Sequence, residues 1–153
     1  MENKKFIKIF TLDIETACEN GFPDVENPIE ELLCISVKNH SNKQIITWGT
    51  GEYKTDRSDV TYVQCKNENQ LLFEFMKFWI KNYPDVITGW NTKFFDLPYL
   101  MNRIKMIAGD KVANKMSPWS LIKSEEIVVR GRPQTVYTVY GITNLDYLDL
   151  YKW

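Results

Sequence analysis

The order of apolar patterns along the 153-residue chain predicts an α/β domain in which a mixed sheet is flanked by helices. Three observations carry this. The run "KFIKIFTLDI" (5–14) is nearly continuous in apolar, β-branched and aromatic residues, as in a central strand covered on both faces. Two later segments, 67–84 and 96–109, switch to helical spacing. Between them, "DVITGW" (85–90) reads as a short buried strand.

Taken in order, the first strand is followed by a loop over 16–30, marked by Gly21, Pro23, Pro28 and several acids. "ELLCISVK" (31–38) and "KQIITWG" (43–49) are strands joined by the turn residues "NHSN", and with the first strand they predict an antiparallel meander. "TGEYKTDRSD" (50–59) is polar and exposed, and "VTYVQC" (60–65) is a short edge strand. In "NENQLLFEFMKFWIKNYP" (67–84), Leu72, Phe75, Met76 and Trp79 share one helical face. Asn67 with Gln70 forms a capping box and Pro84 marks the stop. In "DLPYLMNRIKMIAG" (96–109), Pro98 suits the first turn and Gly109 the C-terminal cap. "EEIVVRGRPQTVYTVYG" (125–141) predicts a hairpin around "RGRPQ", and "NLDYLDLYKW" (144–153) a short final element. The order β-β-β-α-β-α places the first strand centrally, with its acids near its C-terminal end.

The length suits one domain, and 44% apolar residues suffice for a core. A net charge of −1 gives no support to a strongly basic nucleic-acid binder. It is compatible with a nuclease, whose site is acidic and whose basic residues are local. Cys18, Cys34 and Cys65 form no C-x-x-C pair, which predicts a reduced, intracellular, cytoplasmic protein without a disulfide framework. No apolar run suits a membrane span, and "MENKKFIK" lacks the apolar core of a signal peptide. The single histidine, His40, lies in a predicted turn, which argues against histidine zinc sites and Ser-His-Asp triads. The ligands of any metal would be oxygens.

Asp13 and Glu15 interrupt the apolar run of the first strand, and their spacing of two puts both on one face. Carboxylates are costly in such surroundings unless paired, hydrogen-bonded or on a metal. Asp96 begins the second helix, whose positive end favours an ionised acid. Neighbouring strands would bring the three acids to one edge of the sheet. There they would repel one another unless hard cations such as Mg²⁺ or Mn²⁺ stood between them. Two such ions about 3.5–4 Å apart activate water and stabilise the leaving oxygen of a phosphodiester. The pattern also admits simpler roles: Asp13 and Glu15 as caps where the strand leaves the core, and Asp96 as a helix N-cap.

"LDIE" (12–15) followed by "TGWNTKFFDLPYLMNRIK" (88–105) resembles the first two exonuclease motifs of family B DNA polymerases, in the form carried by T-even-type bacteriophages. "LDYLDLYKW" (145–153) resembles the segment after the hairpin of that exonuclease domain, so the resemblance runs from about residue 6 to 153. It implies a ribonuclease-H-like (DnaQ-like) fold and 3′→5′ proofreading of DNA by two Mg²⁺ or Mn²⁺ ions. By the same resemblance, Asp13 would bridge the ions, Glu15 would hold the attacking water and one ion, and Asp96 would bind the other. Asn91 and Phe95 match the rest of the second motif. Phe95 would pack the core, the favoured reading, or touch a terminal base, since aromatic stacking holds unpaired bases whatever their sequence. The hairpin near 127–140 resembles the one that helps part primer end from template. Arg130 and Arg132, near its tip, would contact phosphate or remain solvated turn residues. The implied partners are a single-stranded DNA 3′ end, primer–template DNA and the remaining polymerase chain, with no membrane. The implied place is the cytoplasm, that of the host if the source is viral.

The family's third exonuclease motif, Y-x-x-x-D, occurs nowhere in the sequence: Ile142 stands four residues before Asp146, and Leu145 four before Asp149. The expectation is therefore a single, partial exonuclease domain over 1–153, impaired as a nuclease when isolated. Two other functions are open at this point. One is a non-catalytic DNA-binding or docking fragment of a split or truncated polymerase. The other is a different ribonuclease-H-like nuclease, against which the wording of the second motif argues.

Overall fold

Phe10, Leu12 and Ile14 alternate with Thr11, Asp13 and Glu15 along the first strand, β1 (Ile9–Thr16), and this alternation sets the two faces of the sheet. The structure, a computed structural model, describes residues 6–129 and 131–151. β2 (Leu32–Asn39) and β3 (Ile45–Gly49) continue from β1 as the expected antiparallel meander, with Leu12 opposite Val37 and Asp13 opposite Ser36. β4 (Val60–Gln64) adds parallel to β3 at the sheet edge. β5 (Val86–Gly89) lies parallel on the other side of β1, and β8 (Thr143–Asp146) lies parallel to β5. The strand order β4-β3-β2-β1-β5-β8 makes the sheet mixed and β1 internal.

Two helices cover the apolar face. In α1 (Glu68–Asn82), Leu71, Leu72, Phe75, Met76 and Trp79 are buried. The Trp79 ring meets Phe10 of β1 at 6.3 Å, and its indole N–H donates to the Met116 carbonyl at 2.9 Å. The predicted capping is present: Asn67 Oδ1 accepts from the Gln70 amide at 3.0 Å, and Gln70 Oε1 accepts from the Lys66 amide at 2.8 Å. α2 (Asp96–Ala108) ends at Gly109, whose φ of 84° suits glycine and whose N–H donates to the Lys105 carbonyl. A buried ion pair joins the helices, with Arg103 Nε and Nη2 donating to the two oxygens of Glu68 at 2.7 and 2.6 Å.

The opposite face differs from expectation. Asp13 and Glu15 are exposed, so within the described residues β1 is covered on one side only. Thr11, Cys34, Ser36 and Thr47 keep that face polar, and Ser36 and Thr47 hydrogen-bond across strands at 2.8 Å.

Residues 110–116, for which the sequence predicts no element, form a short helix α3 (Asp110–Ala113) and a 3₁₀ turn (Asn114–Met116). The hairpin is a separate two-stranded ribbon, β6 (Ile122–Val129) with β7 (Arg132–Val139). It is longer than predicted, because Pro133 sits within β7 opposite Val128, and a two-stranded ribbon has an open edge for a residue without an N–H. The final predicted element divides into β8 and one helical turn, α4 (Tyr147–Leu150). Cys18, Cys34 and Cys65 are free thiols. Among the described residues no helix is long and apolar enough to cross a membrane.

Gly89, at the end of β5, lies close against the backbone of β1. A Cβ there would stand 2.5 Å from Thr92 Cγ2 and 2.8 Å from the Leu12 carbonyl oxygen. Gly89→Ala should therefore cost about 1–3 kcal/mol, read from denaturant unfolding, because the obstructing atoms are a backbone carbonyl and the methyl of a fully buried threonine.

Candidate active site

Asp13 and Glu15 rise from the polar face of β1 on either side of Ile14. Their register partners in β2 are Ser36 and Cys34. The Cys34 thiol registers both acids: burial pushes its pKa up first, and the charges of Glu15 and then Asp13 push it further. Partial burial also raises the Asp13 carboxyl.

Asp96 is the first residue of α2, but it does not cap the helix. The N-cap position is Phe95, with no side-chain bond. The Asp96 carboxylate turns to the sheet instead, where Oδ1 accepts from the backbone amide of Ile14 at 3.1 Å. Asp96 therefore bonds to the amide of the one residue that separates Asp13 from Glu15. Asp96 is 4% exposed. Burial pushes its pKa up to about 7; the Ile14 amide opposes the rise, and the negative charges of Asp13 and Asp146 add to it.

The structure thus brings Asp13 and Asp96 within electrostatic range and sets Glu15 on the face that carries Asp13. Among the described residues, however, no group of three or more His, Cys, Asp or Glu side chains is arranged to hold a metal. The donor chemistry nonetheless fits a hard divalent cation. All three candidates are carboxylates, and the charges acting on buried Asp96 are both negative.

The turn before α2 is fixed from the far edge of the sheet. Asn91 takes a left-handed φ of 61°, which asparagine tolerates, and its carbonyl accepts from the amides of Phe94 and Phe95. Asp146, 5% exposed, accepts from the amides of Asn91 and Lys93 at 2.9 Å each and from Leu148 at 2.8 Å. With its oxygens so engaged, Asp146 serves as a structural anchor. Asp149 pairs with Lys93 at 3.5 Å.

A groove of about 720 Å³ opens beside this turn, lined by Phe22, Val25, Asn91, Phe94, Phe95 and Arg132 among others. Phe95 both packs and lines: its ring stacks on Tyr99 at 5.7 Å and meets Phe22 at 5.8 Å. Phe22 is 86% exposed. Sequence reasoning passed over it, although a lone aromatic in an acidic loop just after D-x-E was the available signal. Arg132 is exposed on the groove wall as the first residue of β7. Arg130 lies outside the described residues.

A family model for the DNA polymerase family B exonuclease domain matches residues 1–153. The DNA-directed DNA polymerase of Escherichia phage RB69 is 30% identical over 171 residues, covering 95% of this chain and 19% of the relative. That of Enterobacteria phage T4 is 41% identical over 93 residues, covering 61% of this chain and 10% of the relative. A DNA polymerase of Pyrococcus glycovorans is 31% identical over 108 residues, covering 70% and 13%. The chain thus spans at most about a fifth of the length of these relatives.

Proposed function

The chain belongs to the exonuclease domain of DNA polymerase family B, and from that premise we propose that residues 1–153 act as a single domain whose role is 3′→5′ trimming of single-stranded DNA ends. The observation that carries this is the bond from the Ile14 amide to Asp96, which seats a buried acid on the residue that stands between Asp13 and Glu15 in the chain. Asp13, Glu15 and Asp96 would hold Mg²⁺ or Mn²⁺, in keeping with the metal dependence general to exonuclease domains of this family. Such ions, when bound, supply water activation and charge neutralisation at the scissile phosphodiester.

The rest falls to the chain's own groups. The Ile14 N–H fixes the direction of the Asp96 carboxylate. Phe22 and Phe95 offer apolar faces on which an unpaired base can stack, each such contact contributing about 1–3 kcal/mol. Asn91 borders the same groove, and Arg132 on the hairpin wall would meet a phosphate. Arg130 is assigned to the same phosphate path on sequence grounds alone. The remaining polymerase chain and primer–template DNA are the partners this reading implies, with action inside the cell.

Because Y-x-x-x-D is absent from these residues, cleavage by the chain alone should be slow. A second reading, a DNA-binding fragment without chemistry, draws on the lack of a closed three-acid cluster among the described residues. A Mn²⁺-dependent degradation assay on 3′-labelled single-stranded DNA, paired with calorimetric Mn²⁺ titration, separates the two. The exonuclease reading expects Mn²⁺ binding and weak cleavage, both lost in Asp13→Ala and Asp96→Ala. Single-strand binding without either would favour the fragment reading. Rapid cleavage by the chain would refute the expected impairment.

A further inference from the structure

We propose that Glu26 is a positioning residue that latches the distal half of the β6–β7 hairpin over the groove, so that the groove admits a single strand and turns a duplex end away. This rests on the reading of the groove as a DNA site.

The hairpin stands apart from the main sheet, and a lone two-stranded ribbon is marginal unless something holds it. Its root is well held. Val136 and Val139 are buried, Tyr137 Oη donates to Asn102 Oδ1 and accepts from Lys105 Nζ, and Ser117 Oγ donates to the Tyr140 carbonyl. Tipward of Val136 the situation changes. Among the described residues, the hydrogen bonds that reach another element there are two from Thr135 to Glu26: its amide to Oε1 at 3.1 Å and its hydroxyl to Oε2 at 3.0 Å.

Glu26 is itself on a fixed base. The loop between β1 and β2 is tied to α2 by Asn102 Nδ2 on the Val25 carbonyl, by Arg103 Nη1 on the carbonyls of Pro28 and Ile29, and by Tyr99 Oη on the Glu30 carbonyl. The buried Glu30 carboxylate then accepts from the Asn20 amide at 2.8 Å, shaping the turn that leads to Phe22. Anchored loop and half-anchored hairpin face each other across a second hollow of about 390 Å³, lined by Phe22, Glu26, Arg132 and Thr135 among others. It shares Phe22, Phe94 and Arg132 with the larger groove, so the Glu26–Thr135 contact lies at one end of a continuous trough.

Charge supports a geometric role. A carboxylate on the rim of a groove for a polyanion repels the ligand, and is explained if it holds the wall in place. The contact is solvent-exposed, so it can reopen.

The test uses the 153-residue chain in EDTA, with fluorescence anisotropy of a labelled single strand and of a blunt duplex, and amide hydrogen exchange alongside. The wild-type chain should prefer the single strand. Glu26→Ala should lower that preference about five- to tenfold, the scale of one lost charge-assisted pair of hydrogen bonds. It should also speed exchange at the Thr135 amide and leave that of Tyr137 unchanged. Glu26→Gln, which keeps an acceptor for the Thr135 amide, should restore most of both. Equal effects of Ala and Gln would reduce Glu26 to its charge and overturn the latch. An unchanged preference in Glu26→Ala would overturn it alone. A wild-type chain that binds both DNAs equally would overturn the groove's assignment and the latch with it.

Discussion

Asp96→Asn should abolish metal-dependent cleavage and, at the same time, raise the melting temperature of the metal-free chain at pH 8 by several degrees. The sign follows from linkage. The unfolded chain releases this proton near pH 4 and the folded chain near 7. Between those values the folded state binds more protons, so its stability falls as pH rises through the window and stays lower above it. The charged form of a carboxylate buried beside Asp13 thus burdens the fold by an amount on the order of 2–4 kcal/mol at pH 8. Asparagine keeps the acceptor for the Ile14 amide and has no proton to lose. Thermal melts in EDTA should therefore separate the two proteins at pH 8 and bring them nearly together at pH 4, where Asp96 is neutral in the folded state and only about half ionised in the unfolded chain. Mn²⁺ should raise the melting temperature of the wild-type chain more than that of the variant. A variant that melts no higher than the wild type at pH 8 would mean that Asp96 is not the strained, cation-seeking group described here.

Arg103→Met should cost about 3–5 kcal/mol in denaturant unfolding, because it leaves Glu68 buried without its cation. Among the described residues, Glu68 would then retain the amide of Leu32, which Oε1 accepts at 2.9 Å, as its one hydrogen-bond donor. Arg103 also holds the carbonyls of Pro28 and Ile29 at 2.8 and 3.1 Å, so the same substitution should loosen the loop that carries Phe22 and Glu26. Adding Glu68→Leu should recover part of the loss, since the orphaned charge is then gone, but not all of it, since two loop carbonyls lose the guanidinium and the Leu32 amide loses its acceptor. Full recovery in the double variant would show that neither the loop's dependence on the guanidinium nor the Leu32 bond contributes to stability.

What was legible in the sequence was local. The Asn67–Gln70 cap, the stop at Gly109 and the shared face of Asp13 and Glu15 each depend on residues within four positions of one another, and each is present in the fold. The family motif located Asp96, although not its direction. Whether an acid at the head of a helix caps it or turns away depends on what lies across from it, here the amide of a residue 82 positions earlier. The Arg103–Glu68 pair, the Glu26–Thr135 contact and the clamp by Asp146 are pairings of the same distant kind. Phe22 went unread for a different reason. A single aromatic has no period, and its loop is held in place by Glu30 and α2 in addition to its own turn residues Gly21 and Asp24.

The clamp at Asp146 has a consequence for motion. One side chain holds the last strand of the sheet, the turn that carries Asn91 and Lys93, and the start of α4. These pieces are therefore expected to open as one unit. Loss of β8 from the sheet should loosen the turn that leads into Asp96, because the bonds that fix that turn end on Asp146. Hydrogen exchange at the Asn91 and Lys93 amides should then follow the undocking of the sheet's outer edge, and so should the time for which Asp96 stays seated on Ile14.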